Sequence, residues 1–464
     1  MSNGAVARLL PAGRAGTQED YMKRGIVAMA GLLALATAVQ NSQAKTLEDV
    51  LKEKGVITEA DYNDILKSAP KSTPVAYKPG SGFSFTSPDE KFQLTIGGQL
   101  QPRYTFTQKD GANQADSSEW RLQRAKTLFS GYFLTKDLTF KFNQNWAQLG
   151  TFNSNSTNSN SSQVLEETYL NYKIVDEAQI RVGQDKIQYA RQWITSSTQD
   201  EFVDNSFVTN AFRPSYDTGL GLNGSIAKGL ATYSAQLLGG KGQNVPQGTN
   251  NNSYNLRLAI NPLGDMKYSE GDLDGSAKPL FSLGGAYFHD TIRRNTDATK
   301  AIANTFDNNN LNFTGTSGWL GLKNNNGLFS TTENVNINTF ETDLAFKWLG
   351  LSLQSEYFWA EGVGQGTNAT VISKGLYAQA GYMVIPKTVE LALRYAWMDY
   401  NQEKTDSLKS EVQGAISWYV NGHNLKVQAD VTKSFVQNYV DSRATAHGEG
   451  VEDTIFRAQA QLLF

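Results

Sequence analysis

"DTIFRAQAQLLF" (residues 453–464) closes the chain, and its reading decides the fold. In steps of two, Phe456, Ala458, Ala460, Leu462 and Phe464 fall on one face, and Arg457, Gln459 and Gln461 on the other. A period of two is that of a β-strand. "NLKVQADVT" (424–432) repeats it: Leu425, Val427, Ala429 and Val431 oppose Lys426, Gln428, Asp430 and Thr432. So do "VELALRYAW" (389–397) and "LTFKFNQNW" (138–146).

Working outward from these stretches, the alternation predicts strands over residues 92–108, 119–134, 138–148, 164–175, 178–187, 216–226, 230–239 and 253–261. Eight more follow over residues 279–290, 335–349, 351–361, 372–385, 388–400, 408–419, 424–436 and 453–464. Short connections follow the even members: "TKD", "VDEA", "AKG", "GL", "PK", "NGH". One even connection is longer, "NPLGDMKYSEGDLDGSAK" (261–278). Long, Asn/Gly/Ser-rich loops follow the odd members, among them "TFNSNSTNSNSSQ" and the stretch 188–215. An even strand count with tight turns at one end and long loops at the other is the pattern of a transmembrane β-barrel. A soluble sandwich has no reason to gather its long loops at one end, and it would pack large aliphatics between its sheets. The expected fold class is therefore all-β: a 16-stranded antiparallel transmembrane β-barrel with a short N-terminal helical segment. The apolar faces meet lipid, and aromatics near strand ends, such as Tyr104, Phe106, Tyr357, Tyr395 and Trp418, suit the two interfaces.

Composition narrows the chemistry. The 464 residues contain no cysteine, which excludes disulfides, thiolate metal sites and c-type haem attachment. The three histidines, His289, His423 and His447, are scattered, and none has a partner placed by sequence. No catalytic constellation, metal site or cofactor is expected. A net charge of −3 gives no basis for nucleic-acid binding.

Ahead of the strands, residues 1–21 read as an upstream extension. Residues 22–44 read as a signal peptide: Lys23 and Arg24, an apolar run, then Ser42-Gln43-Ala44. Residues 45–68 predict two short periplasmic helices. Gly55 ends the first, and Thr58 with Asp61 opens the second as a capping box. They either fold against the main body or associate with their copies. Residues 69–91 read as a linker and 92–464 as the barrel.

Alternation places Arg103, Arg124, Lys126, Lys141, Arg181, Arg257, Lys347, Arg394, Lys426 and Arg457 in the lumen. Glu341, Asp343, Glu356, Glu390, Glu411 and Asp430 share that surface. Sixteen strands enclose an aqueous channel. At this point the chain resembles the phosphate-selective porin O and P family. The matching pieces are "FQLTIGGQLQPRY" (92–104), "LQRAKTLFSG" (122–131), "VGQDK" (182–186), "TSS" (195–197), "SYDTGLGLNG" (215–224), "WYVNGHNLKV" (418–427) and "FRAQAQLLF" (456–464). "LKEKGVITEADYNDIL" (51–66) is similar to the helical segment many members carry before the barrel.

The resemblance implies an outer-membrane homotrimer in a Gram-negative bacterium, with a constriction loop here spanning 188–215. It also implies a terminal Phe, here Phe464, that serves barrel assembly. Phosphate-selective members carry a basic pair where this chain has Gln123 and Arg124, and lysines around the "TSS", where this chain has Trp193 and Thr198. The loop holds Arg191 and Arg213 against Asp200, Glu201 and Asp204. With Arg103, Arg124, Lys126 and Lys186 on the wall, these are the candidate constriction residues. The expected function is passive diffusion of small hydrophilic solutes and ions, without strong phosphate selectivity. The alternatives are a phosphate- or polyphosphate-selective anion porin and an integral barrel enzyme.

Overall fold

The computed structural model describes residues 47–68, 75–111, 114–150, 164–245, 250–293, 312–314, 317–330, 332–443 and 450–464. The upstream extension and the signal peptide lie outside them. The chain divides into two compact units, residues up to Ser72 and Thr73–Phe464. In the first, helix α1 (Leu47–Glu53) is followed by Gly55 at φ +69° and helix α2 (Glu59–Ser68). The capping box forms: the Thr58 amide donates to Asp61 Oδ2 at 3.0 Å, and the Asp61 amide donates to Thr58 Oγ1 at 3.2 Å.

Among the described residues the second unit holds eighteen strands. Strands β1 (Val75–Lys78) and β2 (Gly82–Thr86) form a hairpin. Sixteen then run in order: β3 (Phe92–Gln108), β4 (Ser117–Phe133), β5 (Thr135–Asn145), β6 (Leu165–Val175), β7 (Ala178–Lys186), β8 (Tyr216–Ile226), β9 (Ala231–Leu238) and β10 (Ser253–Ile260). The series continues with β11 (Leu280–Arg293), β12 (Asn334–Trp348), β13 (Leu351–Gly364), β14 (Thr370–Ile385), β15 (Val389–Asp399), β16 (Leu408–Asn421), β17 (Leu425–Val436) and β18 (Val451–Leu463). Every neighbour in the series pairs antiparallel, and β18 returns to pair with β3, so the sheet closes. Each expected strand is present, with ends shifted by up to three residues. Two of the odd-numbered loops, 365–369 and 400–407, are shorter than the pattern suggested.

The stretch 69–91, read from sequence as a linker, contains β1 and β2. Strand β2 pairs with Gln93–Ile96 of β3, just beyond where β18 ends. The seam is therefore covered by two segments in line. At their junction the Gly98 amide donates to the Phe464 carbonyl at 2.7 Å, and the Phe464 amide donates to Gly98 O at 3.1 Å. The Phe464 ring lies over Gly98, so closely that a Cβ there would come within 2.3 Å of it.

On the wall, alternation holds. Phe456, Leu462 and Phe464 are exposed, whereas Gln459 and Gln461 are buried inside. The inner face departs from expectation on one side. Near the long-loop end, inward positions of β11–β15 are apolar: Phe288 and Ile292, Val335 and Ile337, Phe358 and Ala360, Val371, Met398. They pack against Tyr189, Val208 and Phe212 from residues 187–215, and against Phe313, Trp319 and Leu320 from the loop after β11. The Phe212 and Phe358 rings stack at 5.3 Å. Each buried large apolar side chain contributes about 1.5–3 kcal/mol. The stretch 187–215 is thus pressed onto one half of the lumen, and the open route runs along β4–β8.

Gly98→Val forces a side chain into the Phe464 ring, and overpacking of this kind costs about 1–3 kcal/mol. We expect a lower temperature for loss of the compact, heat-modifiable form on gels. Gly414→Ala, whose added Cβ meets only Leu393 at 3.7 Å, leaves that temperature unchanged. Equal temperatures for both variants would contradict the seam packing.

Candidate constriction site

Pro102 in β3 has no amide hydrogen to give the ladder. Opposite it β4 slips by one residue: Gln101 pairs with Arg124 and Pro102 with Leu122, leaving Gln123 as the extra residue. Such a bulge re-aims side chains. Consecutive residues Gln123 and Arg124 both reach the lumen cavity, which plain alternation forbids. Strand β6 slips the same way between the pairs Phe142–Thr168 and Gln144–Leu165. Glu166 and Glu167 therefore both turn inward. Glu166 pairs with Lys126, and Glu167 with Lys141 at 2.7 Å. Sequence reasoning missed both acids. The adjacent "EE" that breaks the two-residue period was the available signal.

The cavity measures about 780 Å³ and lies between β4–β8 and the inward loop. The loop is built on two short helices, α3 (Arg191–Ile194) and α4 (Phe207–Phe212). Ser206 caps α4 by accepting from the Val208 amide. Asp204 ties the loop to the seam side. Arg103 Nη1 donates to Asp204 Oδ2 at 2.6 Å and Nη2 to Oδ1 at 3.1 Å, with Arg457 Nη1 at 3.5 Å. Burial opposes ionisation of Asp204, but Arg103 and Arg457 outweigh it and hold the carboxyl down at about 2.

The candidate residues separate into two groups. Arg124, Lys126, Lys186, Arg213 and Asp204 line the cavity. Arg103 sits behind it as the partner of Asp204. Arg191, Asp200 and Glu201 do not reach it. Arg191 donates to Ser282 Oγ at 3.0 Å and lies 3.5 Å from Asp343. The Asp200 carbonyl accepts from Lys426 at 2.8 Å, and Glu201 accepts from Gln379 at 2.8 Å and from Ser352. Thr198 is buried with its carbonyl turned to Gln461. Thr195, Ser197 and Ser215 are the loop hydroxyls that line the cavity.

Two of the loop's three acids are thus taken into the opposite wall, and the third is neutralised from behind. On the cavity side Lys126 is paired, but three cations have no carboxylate at ion-pair distance among the described residues. Arg124 Nη1 donates to Gln101 at 2.8 Å. The Lys186 ammonium donates to the Trp193 carbonyl at 2.8 Å and lies 4.6 Å from that indole. The Arg213 guanidinium stacks on the same indole at 3.6 Å and donates Nε–H to Asn210. Its Nη1 has no hydrogen-bond partner among the described residues. Burial pushes Arg213 down to about 9, and Arg124 adds to the push, yet it stays charged at neutral pH.

A family model described as phosphate-selective porin O and P matches residues 94–464. The chain belongs to this family. The porin is 22% identical over 274 residues to an uncharacterized protein of Aquifex aeolicus, covering 54% of this chain and 61% of that relative, less than two thirds of its length. Among solved structures it is similar to the anion-selective porin from Comamonas acidovorans (11% identity, 80% of this chain, 100% of that one, TM-score 0.50). It is also similar to the outer membrane channel DcaP of Acinetobacter baumannii (11% identity, 83% of this chain, 100% of that one, TM-score 0.49). At such identities the likeness concerns the fold, a closed outer-membrane barrel.

Removing Asp204 strands Arg103, which is 2% exposed. Breaking a buried pair from one side costs about 3–5 kcal/mol. Asp204→Ala is therefore expected to lower barrel stability and widen the spread of single-channel conductances. The sign with pH follows from the depressed carboxyl: its contribution is complete above pH ~4 and is lost as pH falls toward 2. A wild-type melting profile and conductance histogram in Asp204→Ala would contradict the anchoring role.

Proposed function

We propose that this porin is a homotrimeric outer-membrane channel for passive diffusion of small hydrophilic solutes, whose narrow region prefers anions without holding phosphate tightly. One observation carries the reading: Arg124, Lys186 and Arg213 face the cavity without carboxylate partners, while Asp204 is held by Arg103, Glu201 by Gln379, and Asp200 is buried away from the cavity. In a narrow aqueous passage the potential an ion meets is set by the nearest uncompensated charges.

Tight oxyanion capture needs several converging charge-assisted donors. Here the Lys186 ammonium is committed to backbone carbonyls and Arg124 to Gln101. Gln123 occupies the bulge position where a second cation would complete a cluster. The reading is therefore weak anion preference rather than phosphate specificity. On this account residues 45–68 lie in the periplasm, where α1 and α2 assist trimer formation.

In planar bilayers, millimolar phosphate should reduce chloride current only slightly. Gln123→Arg combined with Ser197→Lys should bring strong block by phosphate, because it adds two cations to the cavity wall. Strong block of the unmodified porin by micromolar phosphate would overturn the reading in favour of a phosphate-selective channel.

A further inference from the structure

The connection between β10 and β11, residues 261–279, lies at the short-turn end but is far longer than its counterparts. It is not an exposed turn. Met266, Glu270, Gly271 and Asp272 are buried, whereas Leu263 and Asp265 near its start are exposed. The wall grips it from below and behind. The Lys347 ammonium donates to Gly271 O at 2.8 Å, and Asp272 accepts from the Gly350 amide at 2.8 Å and from the Ser276 amide. A side chain on Gly271 would collide with Glu390 at 2.5 Å, so the segment is packed tightly where it enters.

At its innermost point it meets the constriction loop. Glu270 Oε2 accepts from the Glu201 amide at 2.7 Å, and Oε1 accepts from Gln192 Nε2 at 2.6 Å. The Glu270 amide donates to Gln199 O at 3.2 Å. One residue thus spans the loop from α3 to the stretch before Asp204. The same Gln192 accepts from the Ser206 amide at the start of α4. We infer that residues 261–279 are a strut inserted from the periplasmic end, and that Glu270 is the positioning residue through which it holds the constriction loop at its working height.

The strut acts at a distance from the eyelet. Glu270 does not line the cavity, so its removal takes no charge from the passage itself. What changes is the freedom of the loop that carries Trp193 and Arg213. Losing the two hydrogen bonds that Glu270 accepts should raise the population of displaced loop states by about tenfold or more.

The contact is also crowded with acid. Glu201, Asp200 and Glu270 are faced by Glu390 from β15, Lys347 from β12, Lys426 from β17 and Tyr419 from β16. Burial and Glu270 push Asp200 up to about 8, and burial pushes Glu201 well up. A raised carboxyl binds its proton in the folded loop but not in the unfolded chain. Its contribution to holding the loop is therefore lost as pH rises toward 8.

Single-channel recording on the full-length trimer tests this. Glu270→Ala should flicker between conductance levels about tenfold more often than the unmodified porin. Glu270→Gln keeps one of the two acceptors and should lie between them. In the unmodified porin flicker should grow from pH 6 to pH 9. The reversal potential of the main conductance level, where the loop sits as in the unmodified porin, should stay unchanged in both variants. Because the chain has no cysteine, Gln199→Cys with Glu270→Cys places a reducible lock at the backbone contact. Its flicker should be low when oxidised and high when reduced. Wild-type flicker in Glu270→Ala, a Glu270→Gln porin as restless as Glu270→Ala, or a lock indifferent to reductant would each overturn the strut.

Discussion

Inside hydrocarbon no water is present to satisfy a backbone amide, and each unpaired group costs several kcal/mol. A sheet in a membrane therefore has to close on itself. In this chain the closure is the pairing of β18 with β3, and it is completed end to end by β2. The last residue of the chain lies at the point where the two covering segments meet, with its backbone paired to Gly98 and its ring against the same residue. Once the seam is closed, every other inward residue acquires a fixed position around the lumen.

Closure alone leaves a wide tube. Its narrowing depends on a division of labour around the inner wall. The β11–β15 side offers an apolar patch, and the constriction loop buries Tyr189, Val208 and Phe212 on it. The β4–β8 side stays polar and open. Asp204 pins the loop to Arg103, and the other two acids are drawn into the wall. The basic balance of the passage is a consequence of that docking rather than of the charge the loop carries.

This difference marks the limit of what the sequence shows. The strands were legible because period two is a local property, and each of the sixteen could be read without knowing its partner. Charge could not be read this way. Counting the loop gives two arginines against three acids, but Glu201 finds Ser352 and Gln379, and Arg191 finds Ser282, all far along the chain. The bulges were hidden for a related reason. Gln123 and Glu166 look like outward residues until the opposing strand supplies a proline or a skipped pair. Two other features left traces that alternation alone does not interpret. The inner apolar patch appears as doubled hydrophobics such as Tyr287-Phe288 and Trp397-Met398. The inserted connection appears as one even turn that is too long. The hairpin at 75–86 was read as a linker because its Pro, Gly and Ser residues are also those of turns.

On the proposed reading the passage is electropositive although the constriction loop, taken alone, is acidic. The most direct measurement is the zero-current potential of the unmodified porin in a planar bilayer under a tenfold KCl gradient. A modest potential of the sign for chloride preference is the predicted result. A potential of the opposite sign, showing preference for potassium, would mean that the loop's acids reach the solute path and that the docking described here is wrong.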